Sequence, residues 1–335
     1  MKGISILLSV TPLVSIIILN WNGDLHIHRC IEYVLMQSYT NIEIIIVDNA
    51  STDGSLQRIK EKHPNFLYIE NHINRGYATG MNQGIKSSKG EFIVPLNQDV
   101  CLHKNFIAEC VCRMEMNVKI GAIGGRVYSW INDQLTNIIS KGGDGKFCLR
   151  KRFQACSGIK TEKETYVFGA AGSFPFFRRK TLEDICQNTG DYYDEMYETG
   201  WEDLDLFFRM HLRGWKCLFV PSAYGWHVGS GSVGGKDTLL SKPFNYKVRI
   251  LRNRYFTIIK NLPLRTLIWL FPWLALAEIC MIPYFLFYSP STLLALIKAY
   301  YLTILKLSSV IQKRIRIMKN IKVDQDYLKQ FFIKF

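Results

Sequence analysis

With 335 residues, 48% of them hydrophobic and 21% charged, the chain is long enough for one large globular domain with an appendage. This composition excludes a disordered or low-complexity chain. The formal net charge is +14, but it is unevenly distributed: residues 238–335 hold 16 basic and three acidic residues, and the rest of the chain is nearly neutral. Because the basic part is also the most apolar part, the charge favours an anionic membrane surface over nucleic acid as the partner.

The N-terminal residues and the cysteines indicate a cytosolic protein. The short apolar run at residues 4–10 has no small-residue cleavage site and continues directly into a strand, so we expect no signal peptide. Nine cysteines are scattered along the chain without the paired spacing of a zinc site. An odd number without a disulfide framework predicts reduced thiols.

Buried strands alternate with helices through the first hundred residues. The apolar, β-branched runs predict four strands: Val14–Leu19, Ile42–Val47, Phe66–Ile69 and Glu91–Leu96. Helical periodicity follows three of them, from His26, Ser55 and Gly76. Strands and helices in this alternation predict right-handed βαβ units and a mostly parallel sheet, hence an α/β fold.

Acidic residues follow the second and fourth strands. Asp48 directly follows the second strand, and Asp99 comes shortly after the fourth. Ligands of such sheets bind beyond the carboxyl ends of the strands. We therefore expect a binding site at this edge.

The regular alternation ends near residue 120. Gly142 with Gly143 and the basic run from Arg150 to Arg152 indicate loops and shorter, mixed strands. A helix over Asp203–Leu212, a strand over Lys216–Val220 and a glycine-rich loop complete this part. We expect a catalytic domain over residues 1–237 and a basic, apolar helical segment over residues 238–335.

The second of these parts predicts association with a membrane. Thr266–Tyr288 is apolar enough to be considered as a span, but Glu278 and two prolines make it a poor one, because a charge at the bilayer centre costs about 2.5–3.5 kcal/mol. Leu293–Ile317 adds lysines and arginines, which favours an amphipathic helix on an anionic surface. We expect a peripheral protein or one imperfect span, with a protein-facing helical hairpin as the alternative.

Seven short motifs occur in a fixed order along the chain. They are VSIII…NWNG from Val14 to Gly23, VDNASTDGS from Val47 to Ser55, NRGYATGMNQG from Asn74 to Gly84, LNQDV from Leu96 to Val100, GAAGS from Gly169 to Ser173, WEDLD from Trp201 to Asp205, and Trp226-His227. Together they resemble glycosyltransferase family 2, and most of all its rhamnosyltransferase-like branch. The resemblance covers about residues 13–260.

The resemblance implies a GT-A fold, meaning a single nucleotide-binding α/β domain, and inversion at the anomeric carbon. A carboxylate at a strand end can accept the imide N–H of uracil or thymine, and the resemblance assigns this role to Asp48. Asp53 either contacts the base or ribose or forms a turn or helix cap. The other implied donor-binding residues are Asn20, Trp21, Asn22, Asn74, Gly76, Tyr77, Gly80, Asn82, Asn97, Gln98 and Gly172.

A divalent metal is implied by the departing diphosphate, whose charge Mg²⁺ or Mn²⁺ neutralises as a Lewis acid. The family's Asp-x-Asp pattern is here Asn97-Gln98-Asp99, so only Asp99 remains as a carboxylate ligand. The resemblance implies His227 as the second ligand, and imidazole suits Mn²⁺ better than Mg²⁺. Alone, this histidine would more often be a packed core residue.

Catalysis by direct displacement requires a carboxylate that removes the acceptor's hydroxyl proton. The resemblance implies Asp203 as this base, with Glu202 orienting the acceptor or the loop; the alternative is a helix N-terminus favoured by acidic residues. Trp201 is a candidate platform for the acceptor sugar. Arg252 and Arg254 either bind phosphate or belong to a basic, membrane-facing helix.

The predicted function is transfer of a sugar from dTDP-L-rhamnose or a UDP-sugar to a saccharide or lipid-linked acceptor in surface polysaccharide synthesis, at the cytoplasmic face of the membrane. One alternative is a membrane-associated sugar-nucleotide-binding protein without catalysis. The other is a nucleotidyltransferase, which would need a glycine-rich, basic signature near the first strand. Asn20-Trp21-Asn22-Gly23 does not supply one.

Overall fold

The computed structural model describes residues 11–140, 147–150, 154–157, 161–229 and 239–333. At residues 147–150, 154–157 and 333 it describes the backbone. The N-terminal apolar run, the predicted loops at Gly142 and Lys151, and the predicted domain boundary after residue 237 lie outside the described residues.

The first half of the chain has the predicted alternation of strands and helices. Its strands are β1 (Val14–Asn20), β2 (Ile42–Asp48), β3 (Leu67–Glu70), β4 (Phe92–Asn97), β5 (Val100–Leu102), β6 (Ile120–Ile131) and β7 (Gln134–Ile139). Its helices are α1 (Ile27–Leu35), α2 (Ser55–Lys62), α3 (Gly76–Ser87) and α4 (Phe106–Met116).

The second half begins with short strands, continues through two helices and the long strand β12, and is then helical until a last short strand. The strands are β8 (Phe147–Arg150), β9 (Gln154–Ser157), β10 (Thr165–Val167), β11 (Phe176–Arg178), β12 (Lys216–His227) and β13 (Phe332–Ile333). The helices are α5 (Arg179–Thr189), α6 (Glu202–Leu212), α7 (Phe244–Asn261), α8 (Leu264–Tyr288), α9 (Pro290–Leu305) and α10 (Leu307–Lys319).

The described strands form one large sheet and one small one. The large sheet has the order β10-β12-β6-β11-β4-β1-β2-β3, with β5 added to β12 and β7 to β6. Strands β4, β1, β2 and β3 run parallel, while β11, β10, β5 and β7 pair antiparallel with their neighbours. This confirms the predicted α/β fold with a mostly parallel centre and mixed strands after residue 120.

Helices cover both faces of the large sheet. Alternate residues of β1 point to opposite faces, so Ile16 and Ile18 pack with α1, α2 and α4, whereas Ile17 packs with α3, α5 and α6. All three isoleucines are fully buried. The two cores hold the sheet rigid, and the carboxyl ends of β1, β2 and β4 lie at one edge.

Two glycines of α3 serve packing against β1. A side chain at Gly80 would place its Cβ about 2.5 Å from Leu19 Cδ1, and one at Gly84 would meet the Ile17 side chain. The residues lie four apart and therefore share one helix face. Gly80 thus brings α3 close to the strand and does not itself line the site, contrary to the expectation that it contacts the nucleotide.

Helix α7 packs into the catalytic part of the protein. Lys260 is almost fully buried and forms ion pairs with Asp194 and, at 2.7 Å, with Asp205 of α6. Asn261 donates to the same Asp205 at 2.6 Å. A buried charge left without its partner is strongly destabilising, so these contacts fix α7 to α6. We therefore propose a functional boundary after α7 instead of after residue 237.

Helices α8, α9 and α10 leave a broad apolar surface exposed. Within the described residues α8 is long and apolar enough to cross a membrane, and α9 and α10, bent by 65° to each other, pass the same test together as one broken span. On α8 the buried residues Thr266, Leu270 and Leu274 follow one another at intervals of four, which places one face against the protein. Exposed apolar side chains of the three helices include Ile268, Phe271, Leu276, Ile279, Phe287, Ile297, Tyr301, Ile304 and Ile315.

Glu278 of α8 is paired with groups of the protein itself. Its carboxylate accepts hydrogen bonds from Tyr255 (2.9 Å) and Tyr300, and it pairs with Arg254 at 2.7 Å. The charge is therefore compensated inside the protein and does not face lipid. Glu278 consequently gives no reason of its own against a position of α8 in the membrane.

Candidate active site

A cavity of about 560 Å³ lies at the carboxyl edge of the parallel strands. Nine of the residues that the sequence singled out line it: Trp21, Asn74, Tyr77, Asn97, Gln98, Asp99, Gly172, Glu202 and His227. Five lining residues were missed: Leu19, Asn49, Thr199, Tyr246 and Arg249. The cavity has the position that the strand order predicts for a ligand site.

Asn20 and Asp48 are paired across β1 and β2 at the ends of these strands. Asn20 is fully buried and donates to Asp48 Oδ1 at 2.7 Å and to Ser55 Oγ at 2.9 Å. Asp48 also accepts the Ser51 backbone N–H at 2.9 Å. Asn20 therefore holds the loop after β2, while the Asp48 carboxylate lies just beneath the cavity edge with 2% of its surface exposed.

Asn22 and Asp53 form hydrogen bonds within the loops at this edge. Asn22 Oδ1 accepts the Thr52 N–H at 2.8 Å, and the Asn22 backbone has a positive φ of 48°. Asp53 accepts the N–H groups of Ser55 (3.0 Å) and Asp24 (2.9 Å). Burial raises the Asp53 pKa, but hydrogen bonds from the Ser55 hydroxyl and from these N–H groups more than offset it and hold the pKa below its usual value. Asp53 thus has the turn-forming geometry that was one of its two predicted roles.

Gln98 and Trp21 are joined by two hydrogen bonds. The Trp21 N–H donates to Gln98 Oε1 at 2.8 Å, and Gln98 Nε2 donates to the Trp21 carbonyl at 3.1 Å. Both ends of the Gln98 amide therefore bind the Trp21 backbone, which fixes the loop after β1. Trp21 keeps 45% of its surface exposed beside the cavity, available to a flat ligand.

The loop before α3 reaches the cavity through Asn74 and Tyr77. Asn74 Oδ1 accepts the Gly76 N–H at 2.9 Å, and Gly76 has a φ of 79°, which favours glycine. Asn82 points elsewhere: it is buried and exchanges hydrogen bonds with the backbone of Tyr193. The expectation that Asn82 binds the donor is therefore wrong, because both ends of its amide are used to hold residue 193.

Asp99 and His227 meet because β5 pairs antiparallel with the end of β12. His227 is registered opposite Val100, and Val228 donates its N–H to the Asp99 carbonyl at 3.2 Å. The side chains approach to 3.3 Å between His227 Nε2 and Asp99 Oδ1. Burial raises the Asp99 pKa, but the neighbouring His227 more than offsets this and holds the pKa below its usual value. Asp99 is therefore a carboxylate at neutral pH.

The spacing of these two side chains fits a divalent ion. Ligands about 2.1 Å from one ion and at right angles lie about 3 Å apart, close to the observed separation. Among the residues that the structure describes, no group of three or more His, Cys, Asp and Glu forms a closed metal cage. An ion held by Asp99 and His227 would therefore keep positions open for phosphate oxygens and water.

Glu202 and Asp203 are the first two residues of α6; Glu202 lines the cavity, whereas Asp203 is not part of the lining and lies against Gly172, which is. Burial, and then the neighbouring Asp203, raises the Glu202 pKa to about 8, and burial also raises the Asp203 pKa. Glu202 Oε2 is buried without a hydrogen-bond partner among the described residues. The pair is therefore set apart from ordinary surface carboxylates, and Glu202 is the member that stays protonated at neutral pH.

Gly172 and Asp203 are in close approach. A Cβ at Gly172 would lie 2.6 Å from Asp203 Oδ2, so only glycine leaves room for this carboxylate. Asp203 Oδ1 accepts the Leu204 N–H at 2.7 Å. Trp201, predicted to contact the acceptor, is half-buried with a left-handed φ of 75°, and its ring packs into the apolar core. It is not part of the cavity lining.

The predicted phosphate-binding arginines do not line the cavity. Arg252 pairs with Glu198 at 3.3 Å and donates to the Met196 carbonyl at 3.2 Å, and Arg254 faces Glu278. The arginine that lines the cavity is Arg249, which also pairs with Glu198 at 3.2 Å. The choice of Arg252 and Arg254 was wrong because α7 turns those positions away.

The spacing of polar residues along α7 contains a signal for Arg249. Tyr246, Arg249 and Asn253 are three and four residues apart and lie on one face of α7. Val248 and Leu251 lie on another face, against α8 and α9. The polar face could therefore be read from the spacing once a helix was assumed, but its contact with the cavity required the fold.

Comparison with known protein families agrees with this geometry. The family model described as "Glycosyl transferase family 2" matches residues 15–186, more than half of the chain. The chain belongs to glycosyl transferase family 2. The match ends before Glu202, Asp203 and His227, so the roles of these residues depend on the structure and on the motif resemblance.

Family 2 relatives include large polysaccharide synthases. The poly-beta-1,6-N-acetyl-D-glucosamine synthase of Staphylococcus epidermidis is 25% identical over 228 residues, which cover 66% of this chain and 51% of that protein. The chain thus spans about half the length of the curated relatives that it matches.

Solved structures show the same fold. GalNAc-T7, crystallised with UDP, GalNAc and Mn²⁺, matches with a TM-score of 0.60 and 16% identity over 75% of this chain and 48% of that one. Residues 1–349 of Staphylococcus aureus TarS match with a TM-score of 0.57 and 13% identity over 95% of this chain and 90% of that one. These neighbours confirm the GT-A fold.

Proposed function

We propose that the protein is an inverting glycosyltransferase that moves a sugar from a nucleoside diphosphate donor to a hydroxyl group of a saccharide acceptor. The observation that carries the proposal is one cavity lined by the Asp99–His227 pair and by Glu202 of the raised-pKa Glu202–Asp203 pair, whose Asp203 lies against the lining residue Gly172. The first pair suits the leaving diphosphate, and the second suits removal of a proton. Membership of family 2 supports the same reaction class.

The donor's base is assigned to the edge formed by β1 and β2. Asp48 is a hydrogen-bond acceptor held by Asn20 and Ser51, as recognition of a uracil or thymine imide N–H requires. The exposed Trp21 ring lies on the loop beside this edge. We propose a UDP-sugar or dTDP-L-rhamnose as donor, and the UDP in the GalNAc-T7 structure supports the first of these.

A divalent cation, Mg²⁺ or Mn²⁺, is proposed at Asp99 and His227. When bound, it would neutralise the charge that develops on the departing diphosphate. The described residues supply one carboxylate oxygen and one imidazole nitrogen at a suitable spacing, and imidazole favours Mn²⁺. The Mn²⁺ in the GalNAc-T7 crystal structure supports this choice.

Asp203 is proposed as the general base. It takes the proton of the acceptor hydroxyl while that oxygen attacks the anomeric carbon, and the bond to the nucleoside diphosphate breaks with its electron pair leaving on the phosphate. Attack opposite the leaving group inverts the anomeric carbon. Because Glu202 stays protonated at neutral pH, it can donate a hydrogen bond to the acceptor without competing for the proton.

Arg249 is proposed to contact the departing diphosphate or a phosphate of the acceptor. It lines the cavity near the Glu202 side and is partly exposed, and its guanidinium can leave Glu198 for a phosphate because Arg252 also pairs with Glu198. Tyr246, one turn earlier on α7, lines the same part of the cavity.

Helices α8–α10 are proposed to lie on the cytoplasmic membrane surface and bring the cavity to a lipid-linked acceptor. Each helix has apolar side chains facing outward, and α8 keeps one face on the protein along most of its length. A helix with a protein face and a bare apolar face is typical of interfacial binding. Phe285 packs against α9, so the far end of α8 is also held to the protein. We therefore favour lying on the membrane over crossing it.

The transferase proposal is tested with a panel of UDP- and dTDP-sugars, each with Mg²⁺ or Mn²⁺ and with membrane lipid extract as acceptor. We expect release of nucleoside diphosphate and transfer of label to lipid with at least one donor. The variant Asp99→Ala serves as the blank. Absence of release and transfer with every donor would contradict the proposal, and release that persists in the blank would refute the assigned site.

The membrane proposal is tested by flotation of the protein with vesicles of phosphatidylglycerol or phosphatidylcholine. Replacing Phe271, Ile279 and Phe287 by serine should abolish flotation with the anionic vesicles. Met116 and Val118 are equally exposed but lie at the end of α4, so their replacement by serine is the matched control and should change little. Equal loss in both variants would refute the assigned surface.

A further inference from the structure

One side chain of α7 contacts three carbonyl groups of the segment that precedes α6. Asn253 is fully buried, and its Nδ2 lies 2.9 Å from the Tyr197 carbonyl, 3.3 Å from that of Thr199 and 2.7 Å from that of Gly200. Its Oδ1 accepts from Arg252 Nε at 3.1 Å and Nη2 at 3.0 Å. Because arginine can only donate, this contact fixes the orientation of the amide.

The held segment has an unusual backbone. Glu198 and Trp201 have φ values of 61° and 75°, and Gly200 between them has 87°. Side chains other than glycine adopt the left-handed region at a cost in free energy, and such conformations persist only where the surroundings enforce them. Asn253 supplies hydrogen bonds that only this conformation can receive together.

The segment leads directly into the carboxylate pair. Trp201 is the residue before α6, and Glu202 and Asp203 are its first two residues. Their direction into the cavity depends on where α6 begins and on how the preceding residue is turned. A release of the 197–201 backbone would therefore move Glu202 from the cavity wall and Asp203 from its place beside Gly172.

We propose that Asn253 is a positioning residue for catalysis, which holds the 197–201 segment so that Glu202 lines the cavity and Asp203 stays against Gly172. The inference rests on the proposed transferase function for its kinetic consequences and on the structure alone for its conformational ones. It makes Asn253, which lies outside the region matched by the family model, a support of the carboxylate pair.

The variant Asn253→Ala tests the proposal, with Asn261→Ala as the matched control. Asn261 is also fully buried on α7 but donates to Asp205 at 2.6 Å and does not contact the 197–201 segment. We expect kcat to fall about 10²-fold in Asn253→Ala while the donor KM changes less than about twofold, since misplaced catalytic groups reduce turnover by such factors. The control should lose thermal stability with kcat within about threefold of wild type.

Two further measurements separate positioning from loss of structure. The hydroxyl of Asn253→Ser can still donate one hydrogen bond, so this variant should recover part of the turnover and should fold even if Asn253→Ala does not. Amide hydrogen exchange of residues 197–203 should be faster in the serine and alanine variants but not in Asn261→Ala. This readout needs no activity, so it remains decisive if the transferase assay fails for the wild type.

Turnover unchanged in Asn253→Ala and Asn253→Ser would overturn the proposal. Parallel losses of kcat, donor affinity and stability in the Asn253 and Asn261 variants would do so as well, because they would indicate only a structural role. Inactivity of the wild type with every donor would instead contradict the proposed function. In that case, unchanged exchange at residues 197–203 would refute the positioning role separately.

Discussion

The two sides of the cavity are held in place by different kinds of contact. On the donor side, Asn20, Asp48 and Ser51 bind one another through side chains and loops that directly follow β1 and β2. On the opposite side, Glu202 and Asp203 follow a left-handed segment that depends on Asn253, more than fifty residues further along the chain. The donor side is thus built locally, whereas the base side is built from a distant helix.

This difference teaches where substitutions should act. Changes on the donor side should alter nucleotide affinity while leaving the cavity's other side intact. Changes at the α7 residues that line the cavity or contact the 197–201 segment should alter turnover with little effect on nucleotide affinity. The Asp99–His227 pair, proposed to hold the cation, is the first place to test this division.

Replacing Asp99 by alanine should have the largest effect among these predictions. We expect turnover to fall by about 10³-fold, because a bound cation contributes several kcal/mol of charge stabilisation to the transition state. Turnover is measured with Mn²⁺ titrated from zero. Asp326→Ala, which removes a half-exposed carboxylate paired with Lys329, is the control and should behave as wild type. Full wild-type activity in excess chelator would contradict the metal assignment.

Replacing Arg249 by alanine should lower turnover by about 10- to 100-fold, since a cation next to the departing phosphate stabilises charge only as it develops. The Kd for uridine, which carries the base and ribose of the donor but no phosphate, should not change. The exposed Arg265 on α8 offers the control Arg265→Ala. Equal effects of the two substitutions would show that only the net charge of the segment matters.

On the donor side, Asp48→Asn should weaken UDP and dTDP binding by about tenfold or more, since a hydrogen bond to a charged group contributes about 1.5–3 kcal/mol. Asp53→Asn should change the same Kd by less than about twofold, because the Asp53 carboxylate already binds Ser55 and Asp24 within its loop. Calorimetric titration measures both. A larger effect at Asp53 would reverse the assignment of the base contact.

The smallest expected effect is a pH-dependent gain in stability in Glu202→Gln. The Glu202 pKa rises from 4.5 to about 8 on folding, so the folded protein holds an additional proton between these values and loses stability as the pH rises through them. Glutamine removes this loss. The difference in unfolding midpoint between variant and wild type should therefore be near zero at pH 4 and greatest above pH 8.

A constant difference across that range, measured by thermal unfolding in parallel buffers, would contradict the raised pKa. Turnover in the same variant adds a second check. Because glutamine still donates a hydrogen bond, Glu202→Gln should keep much more activity than a substitution of the proposed base, Asp203.

The sequence predicted the strands and strand ends of the donor side because their signals are local. The β-branched runs before Asn20 and Asp48 specify strands, and the polar residues after them mark the strand ends. The Asp99–His227 contact was predicted from resemblance, and its physical basis is the pairing of β5 with β12. Asn82 was misassigned because a polar residue in a glycine-rich stretch gives no sign of which helix face it occupies.

The base side could be predicted only in part. Glu202 and Asp203 were identified, but the positive φ of Trp201 and the role of α7 have no local signal. Charge and hydropathy placed α7 with a membrane segment, whereas the buried pairing of Lys260 with Asp205 places it with the catalytic core. Long-range ion pairs and helix faces of this kind depend on the folded structure, which explains why Arg252 and Arg254 were chosen instead of Arg249.

The most direct test of the account is the effect of Asp203→Asn on two quantities measured with the same preparation. The account predicts that sugar transfer falls by about 10²- to 10⁴-fold, the usual contribution of a general base. It also predicts that the Kd for UDP or dTDP stays within about twofold of wild type, because the described hydrogen bonds of Asp48 run to Asn20 and Ser51 and that of Asp203 to Leu204, so the two carboxylates share no partner. Near-normal transfer, or a parallel loss of nucleotide binding, would contradict the account.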